Sequence, residues 1–220
     1  SRGVVVRENC KVERIISDGV RVTGVETDQG DLTADKVILA AGLWSRDLAK
    51  PLGIELPLFA CEHFYVVTEE IPGLTKRPVL RDFDKGIYFK EDAGKFLVGW
   101  FEHNAKGCPM SRIREDFCFD EFEVDMAHIE PYILAGIETL PALGETGIRT
   151  FFNGPESFTS DNLHLLGPTP ELRDFYVACG MNSKGIGAGG GLGKIMADWV
   201  IDGYPSGDIW ECDVRRTHPV

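Results

Sequence analysis

Nowhere does the 220-residue sequence reach the ~18 consecutive uncharged apolar residues that a membrane-spanning helix requires, so no membrane span is expected. Basic residues are scarce: 23 Lys and Arg stand against 35 Asp and Glu, a formal net charge of −12. Neutralising phosphates takes clustered Lys and Arg, so a nucleic-acid partner is not expected either. The six cysteines form no C-x-x-C pair, and no His lies at zinc-ligand spacing from them, so no metal site is expected. Several sit in apolar stretches such as Tyr176–Cys179, which reads as inert core thiols of a soluble protein in a reducing compartment, the cytoplasm or the mitochondrial matrix. Low-complexity segments and internal repeats are missing, and 43% hydrophobic with 26% charged residues is ordinary globular composition. An initiator Met, a signal peptide and a transit peptide are missing too; the expectation is an internal piece of a longer chain.

The length fits one or two domains at ~100–200 residues each. Gly3–Arg7 and Lys11–Ile16 are rich in strand formers, and Arg21–Thr27 alternates as a half-buried strand does. Lys36–Ala41 is a continuous apolar run, the signature of a parallel strand buried on both faces, and a short helix over Trp44–Leu52 follows, stopped at Gly53. Cys61–Glu69, Val79–Arg81, Gly86–Lys90, Lys95–Phe101 and Ile148–Phe152 read as strands, and 123–138 carries helical spacing around an awkward Pro131. Phe175–Cys179 reads as a buried strand, Gly180–Gly193 as a glycine-rich loop and Ile195–Ile201 as an apolar helix. The expected fold is α/β and α+β. Both chain ends (1–58 and 154–220) form the remainder of a Rossmann-like domain, around an inserted, mainly antiparallel sheet domain with helices (59–153).

The strongest chemical signal is the strand–glycine–helix passage from Phe175 to Gly193, with seven glycines between 180 and 193. Such a turn admits a ligand close to the backbone and aims helix N–H groups at an anion or polarised oxygen; tight helix–sheet packing is the plain alternative. Lys194 is not followed by Ser or Thr, so this is no Walker A loop, and the spacing is not a first-strand dinucleotide fingerprint. A second signal is the turn Thr27–Gly30 followed by Ala34–Ser45, a buried strand ending in a small-residue corner and Trp44. This resembles the second flavin-contact motif of the FAD-dependent D-amino-acid oxidase superfamily. With His63–Glu69, Leu80-Arg81-Asp82, Gly154–Asp161, Pro170–Arg173 and Asp213–Arg216 in order, the whole chain resembles the sarcosine and dimethylglycine dehydrogenase family. The family's N-terminal G-x-G-x-x-G fingerprint, which seats the FAD pyrophosphate, is not in this sequence, nor is the upstream flavin-bonding histidine. A missing N-terminal half, or self-association in its place, is therefore expected as a partner.

The resemblance implies FAD as cofactor, with tetrahydrofolate bound by a further C-terminal region. It implies oxidation of the N-methyl group of sarcosine or dimethylglycine by hydride transfer to FAD, the electrons then passing to an acceptor protein or to oxygen. It places Val12 at the adenine, Ala41, Gly42 and Trp44 at the flavin, and the backbone of Met181, Asn182, Ser183, Lys184, Gly185 and Ile186 along the pyrimidine side of the ring. His63 and Tyr88 match the catalytic positions over the flavin, although a lone strand His is more often plain surface or core, and Phe89 could stand in the place of Tyr88. Where many amino-acid oxidases have a G-x-R-P segment whose Arg clamps the substrate carboxylate, this chain has Gly154-Pro155-Glu156-Ser157. Glu156 cannot hold a carboxylate; after a strand end, it is expected in the substrate pocket near the cationic nitrogen, or else merely orders a surface loop. A non-catalytic relative, the regulatory subunit type of pyruvate dehydrogenase phosphatase, shares the same motifs and is the alternative.

Overall fold

The computed structural model describes residues 3–218. In chain order the elements are β1 (Val12–Ser17), β2 (Val22–Thr27), β3 (Leu32–Thr33), β4 (Val37–Leu39), α1 (Ser45–Ala49), β5 (Leu58–Thr68), β6 (Leu80–Asp82), β7 (Ile87–Asp92), β8 (Lys95–Trp100), α2 (Met126–Thr139), β9 (Ile148–Thr159), β10 (Leu165–Pro168), β11 (Phe175–Cys179) and α3 (Gly185–Asp202). They fold as two compact units, Ser1–Phe59 with Ser157–Val220, and Ala60–Glu156.

The first unit holds two small sheets. β1, β2 and β3 form an antiparallel meander, whose turn at Asp28–Gly30 is closed by the Thr27 hydroxyl donating to the Gly30 carbonyl at 2.6 Å. The second sheet has the order β10-β11-β4, with β11 antiparallel to β10 and parallel to β4. Alternate residues of β11 serve two cores. Phe175, Val177 and Cys179 pack with Leu39, Ile54, Leu58 and Leu165, while Tyr176 packs with Leu166 and with Met196 and Trp199 of α3. β11 is thus covered on both faces, as its apolar run requires; β4 is not, and its Ile38 stays 46% exposed.

The second unit is one five-stranded sheet, order β6-β7-β8-β5-β9, with α2 packed on one face. Phe64, Val66, Ile87, Phe89, Val98 and Trp100 point to Ile129 of α2. The Asp125 side chain caps α2 by accepting the His128 N–H, and the helix continues through Pro131.

Three expectations are corrected and one strand is added. Gly3–Arg7 forms no strand: Val4, Val5 and Val6 are 74–80% exposed, and among the described residues no neighbour offers them a ladder. β10, between Asp161 and the Pro168 turn, is too short to register as a periodic pattern. α3 begins at Gly185, so most of the supposed glycine loop is helix; glycine's low intrinsic propensity is overridden by the packing of Met196 and Trp199. Glu156 lies inside β9 rather than after a strand, because Gly154-Pro155 does not break an edge strand, where a missing N–H costs no ladder bond. All six cysteines are free thiols, with Cys108 and Cys179 buried and Cys118 exposed; burial pushes the Cys179 thiol up to about 12.

Candidate functional site

In the first unit, the parallel pairing of β4 and β11 brings their carboxyl ends out at one sheet edge. Ala41, Gly42 and Trp44 form the corner after β4, and Met181–Lys184 the turn after β11. The two segments expected at the flavin thus lie beyond the carboxyl ends of neighbouring strands, where open α/β sheets take their ligands. Val12 starts β1 on the other sheet, paired with Thr27.

The turn after β11 is built by three left-handed residues, Gly180 (φ 65°), Asn182 (φ 50°) and Ser183 (φ 63°). A Cβ on Gly180 would stand 2.7 Å from the Thr159 methyl, so only glycine fits. Asn tolerates this backbone, and the buried Asn182 side chain supplies the reason for it. Its Oδ1 accepts the Thr159 N–H at 2.8 Å, and its Nδ2 donates to the Gly180 carbonyl at 2.6 Å. Asn182 is therefore the strut under the turn, which leaves the backbone to face outward.

α3 starts from that strut with no side-chain cap and no acidic residue in its first turn. Its first hydrogen bond runs from the Ala188 N–H to the Lys184 carbonyl, so the N–H groups of Gly185, Ile186 and Gly187 precede it. A Cβ on Gly187 would meet nothing within 4 Å, and Ile186 is fully exposed. The donors form an open, positively polarised helix end, which fits the acceptor edge of a flavin ring.

In the second unit, period-two alternation turns His63, Tyr65, Tyr88, Gly99 and Phe101 away from α2, onto the opposite face of the sheet. Phe89 is in the α2 core at 2% exposure, so of the neighbouring pair it is Tyr88 that this face presents. Tyr65 and Tyr88 flank Gly99 in register, and the Tyr88 ring lies across that glycine; a Cβ there would stand 2.2 Å from the Tyr88 hydroxyl. Burial pushes the Tyr88 phenol up to about 12, with the charge of Glu156 and the neighbouring Tyr65 adding to it and Arg81 opposing. His63 Nε2 lies 3.8 Å from Glu156 Oε2, and the His63 and Phe101 rings are 5.4 Å apart. Arg81, opposite Tyr88 on β6, places its guanidinium 4.6 Å over Phe101 and 4.7 Å over Phe83.

The structure thus gathers His63, Tyr88 and Glu156 on one face, and Ala41, Gly42, Trp44 and 181–186 at one sheet edge. Sequence reasoning missed Tyr65, Gly99, Phe101 and the position of Arg81. The parity of His63 with Tyr65, and of Gly99 with Phe101, carried that signal.

Two buried carboxylates back the sheet. Glu62 accepts from the Asn153 amide at 2.7 Å and from the Arg112 guanidinium; burial works against its charge, but these donors hold it below the ordinary carboxylate range. Glu102, 1% exposed at its side chain, takes His128 Nε2 at 2.5 Å while its Oε1 has no partner; burial raises its carboxyl, and His128 only partly offsets that. Among the described residues no cluster of His, Cys, Asp and Glu is arranged to hold a metal ion, and no helix is long and apolar enough to cross a membrane.

Comparison with known proteins agrees with this architecture. Similar curated proteins include 4-methylaminobutanoate oxidase (formaldehyde-forming) of Paenarthrobacter nicotinovorans, 42% identical over 98% of this chain and 26% of that protein. Human mitochondrial sarcosine dehydrogenase is 39% identical over 99% of the chain and 24% of its own length. The mitochondrial pyruvate dehydrogenase phosphatase regulatory subunit of Mus musculus is 35% identical over 97% and 25%. The chain spans about a quarter of the length of these relatives. Among solved structures, glycine oxidase from Geobacillus kaustophilus superposes with a TM-score of 0.77 at 23% identity, over 100% of this chain and 55% of that one. The model of the family described as FAD dependent oxidoreductase matches residues 1–199. With that match over most of its length, the chain belongs to the FAD dependent oxidoreductase family.

Proposed function

We propose that this chain is the amine-binding sheet and part of the flavin site of an enzyme that oxidises the N-methyl group of a small amino acid, with sarcosine or dimethylglycine as the type. The observation that carries the reading is the convergence of His63, Tyr88 and Glu156 on the face of the second unit's sheet that α2 leaves open. The names of the relatives above support the substrate class. FAD, when bound, would supply the hydride acceptor, and Val12, Ala41, Gly42, Trp44 and the backbone of 181–186 would hold it.

The protein groups divide the remaining work. An N-methyl amine loses hydride only when its nitrogen lone pair is free, so the ammonium must first give up its proton. Glu156 attracts the cationic nitrogen, and His63, 3.8 Å away, accepts the proton. Tyr88, with its phenol up at about 12, stays protonated at neutral pH and serves as a hydrogen-bond donor that orients the substrate, not as a base. An acceptor protein or oxygen takes the electrons, and tetrahydrofolate held by another region takes the one-carbon fragment.

The test is anaerobic single-turnover reduction of the FAD-loaded full-length protein by sarcosine, dimethylglycine and 4-methylaminobutanoate. We expect His63→Ala and Tyr88→Phe to slow reduction by about 10²-fold, within the usual range for acid–base and orienting groups. Unchanged rates in both variants would remove them from the site. The 35% identity with a phosphatase regulatory subunit supports a second, non-catalytic reading, which predicts no reduction of the wild-type flavin by any methylamine.

A further inference from the structure

We propose that Arg81 is the carboxylate-binding residue of the open sheet face. An anionic substrate needs a cation, and Glu156 cannot be that group. Three cations stand on this face, Lys90, Lys95 and Arg81, and Lys95 lies at the far end of the β7–β8 ladder, opposite Asp92 and away from Tyr88. Lys90 is already paired, its Nζ 3.8 Å from Asp92. Arg81 has no carboxylate partner among the described residues. Its guanidinium lies between two aromatic rings, 4.6 Å over Phe101 and 4.7 Å over the 76% exposed Phe83. Stacking fixes the plane of a guanidinium through its faces while leaving the N–H donors at its edge available. The long side chain is thereby ordered before any ligand arrives, so less entropy is lost on binding.

The surroundings fit one end of an amino acid. Arg81 pairs in register with Tyr88 across β6 and β7, and its charge reaches the phenol. A carboxylate taken bidentately by Arg81 would find the Tyr88 hydroxyl as a further donor. Phe101 joins the two ends of the face, with Arg81 over its ring and His63 5.4 Å from it. Around His63 and Tyr88, Arg81 contributes a cation on the β6 side and Glu156, beyond His63 on β9, a carboxylate on the other. That polarity orients a zwitterion with its carboxylate towards Arg81 and its amine towards His63 and Glu156.

The proposal takes its ligand class from the amine-oxidoreductase reading, and its test separates the two. The probe is methoxyacetate, which keeps the carboxylate and replaces the amine with an ether oxygen. It is titrated into FAD-loaded full-length protein, wild type, Arg81→Met and Arg81→Lys, with binding read from the flavin absorbance change and no turnover needed. Losing a charge-assisted bidentate bond predicts about 10- to 100-fold weaker binding for Arg81→Met, and an intermediate loss for Arg81→Lys, which keeps the charge and loses the fork. With sarcosine the same factor should appear in KM more than in kcat. Retained FAD in both variants excludes misfolding as the cause. Wild-type affinity for methoxyacetate in Arg81→Met overturns the proposal; wild-type binding without reduction by any methylamine overturns the enzymatic reading while the carboxylate site stands.

Discussion

Replacing Gly99 by alanine tests whether the open face is organised around Tyr88. Gly99 sits between Tyr65 and Tyr88 in the ladder, with no left-handed backbone to forbid a side chain. The new Cβ would stand 2.2 Å from both Cζ and the hydroxyl of Tyr88 and 2.6 Å from Cε1, so the ring must move. Removing a strand glycine stabilises by about 0.5–1 kcal/mol, while overpacking costs about 1–3 kcal/mol. The net is a loss of about 0–2.5 kcal/mol, or a few degrees in Tm for a chain of this size. The assay is thermal unfolding of Gly99→Ala in the native and in the Tyr88→Ala backgrounds, a double-mutant cycle. In the native background Tm should fall; without the Tyr88 ring the same substitution should be neutral or stabilising. Single-turnover flavin reduction by sarcosine should slow in Gly99→Ala as in Tyr88→Phe. Equal Tm shifts in the two backgrounds would refute the argument, because the cost would then not lie in the Tyr88 contact.

Asn182→Ala removes the strut under the flavin turn and leaves the Thr159 N–H without its acceptor; FAD dissociation should quicken several-fold, read by fluorescence of released flavin. Gly187→Ala should raise apoprotein stability by about 0.5–1 kcal/mol, because the position is helical with open space around it, and should weaken FAD binding if the ring approaches that backbone; unchanged FAD affinity would move the flavin away from α3. Glu102, raised by burial, gives its full stability below its ordinary value of 4.5 and loses it as pH rises through the higher folded value, so Glu102→Gln should flatten the fall of Tm as pH rises above 4.5. A parallel pH profile in that variant would place the titration elsewhere.

Where a segment's own pattern and its packing agree, the fold was legible in the sequence. β7 alternates in burial because one face meets α2 and the other does not, and β11 is apolar throughout because two cores flank it. The failures have the same cause read in reverse. Val4–Val6 has strand propensity but no partner among the described residues, and propensity without a ladder does not make a strand. The first half of α3 has glycines that argue against helix, and Met196 and Trp199, anchored on β10 and β11, hold it helical regardless. Gly154-Pro155 reads as a break only to an eye that does not know β9 is an edge.

The site divides along the same line. Recognising the glycine turn after β11 needed only local chemistry, since a strand end, left-handed residues and a helix start are all contiguous in sequence. Even there the role of Asn182 was invisible, because its partner Thr159 is distant in sequence and becomes adjacent only when β9 comes beside the turn. The open face of the second unit is wholly non-local. Arg81, Tyr88, Gly99, His63 and Glu156 come from five strands, and only the order β6-β7-β8-β5-β9 makes them neighbours. His63 and Tyr88 were reachable through a family pattern that carries that order implicitly; Arg81 belongs to such a pattern, but its local sequence attaches no chemistry to it. What assigns it is the aromatic pair that holds its guanidinium, and both rings come into place only through the β6–β7–β8 ladder. Ordered by stacking and without a carboxylate partner among the described residues, that guanidinium has its planar fork of donors available to a ligand's carboxylate.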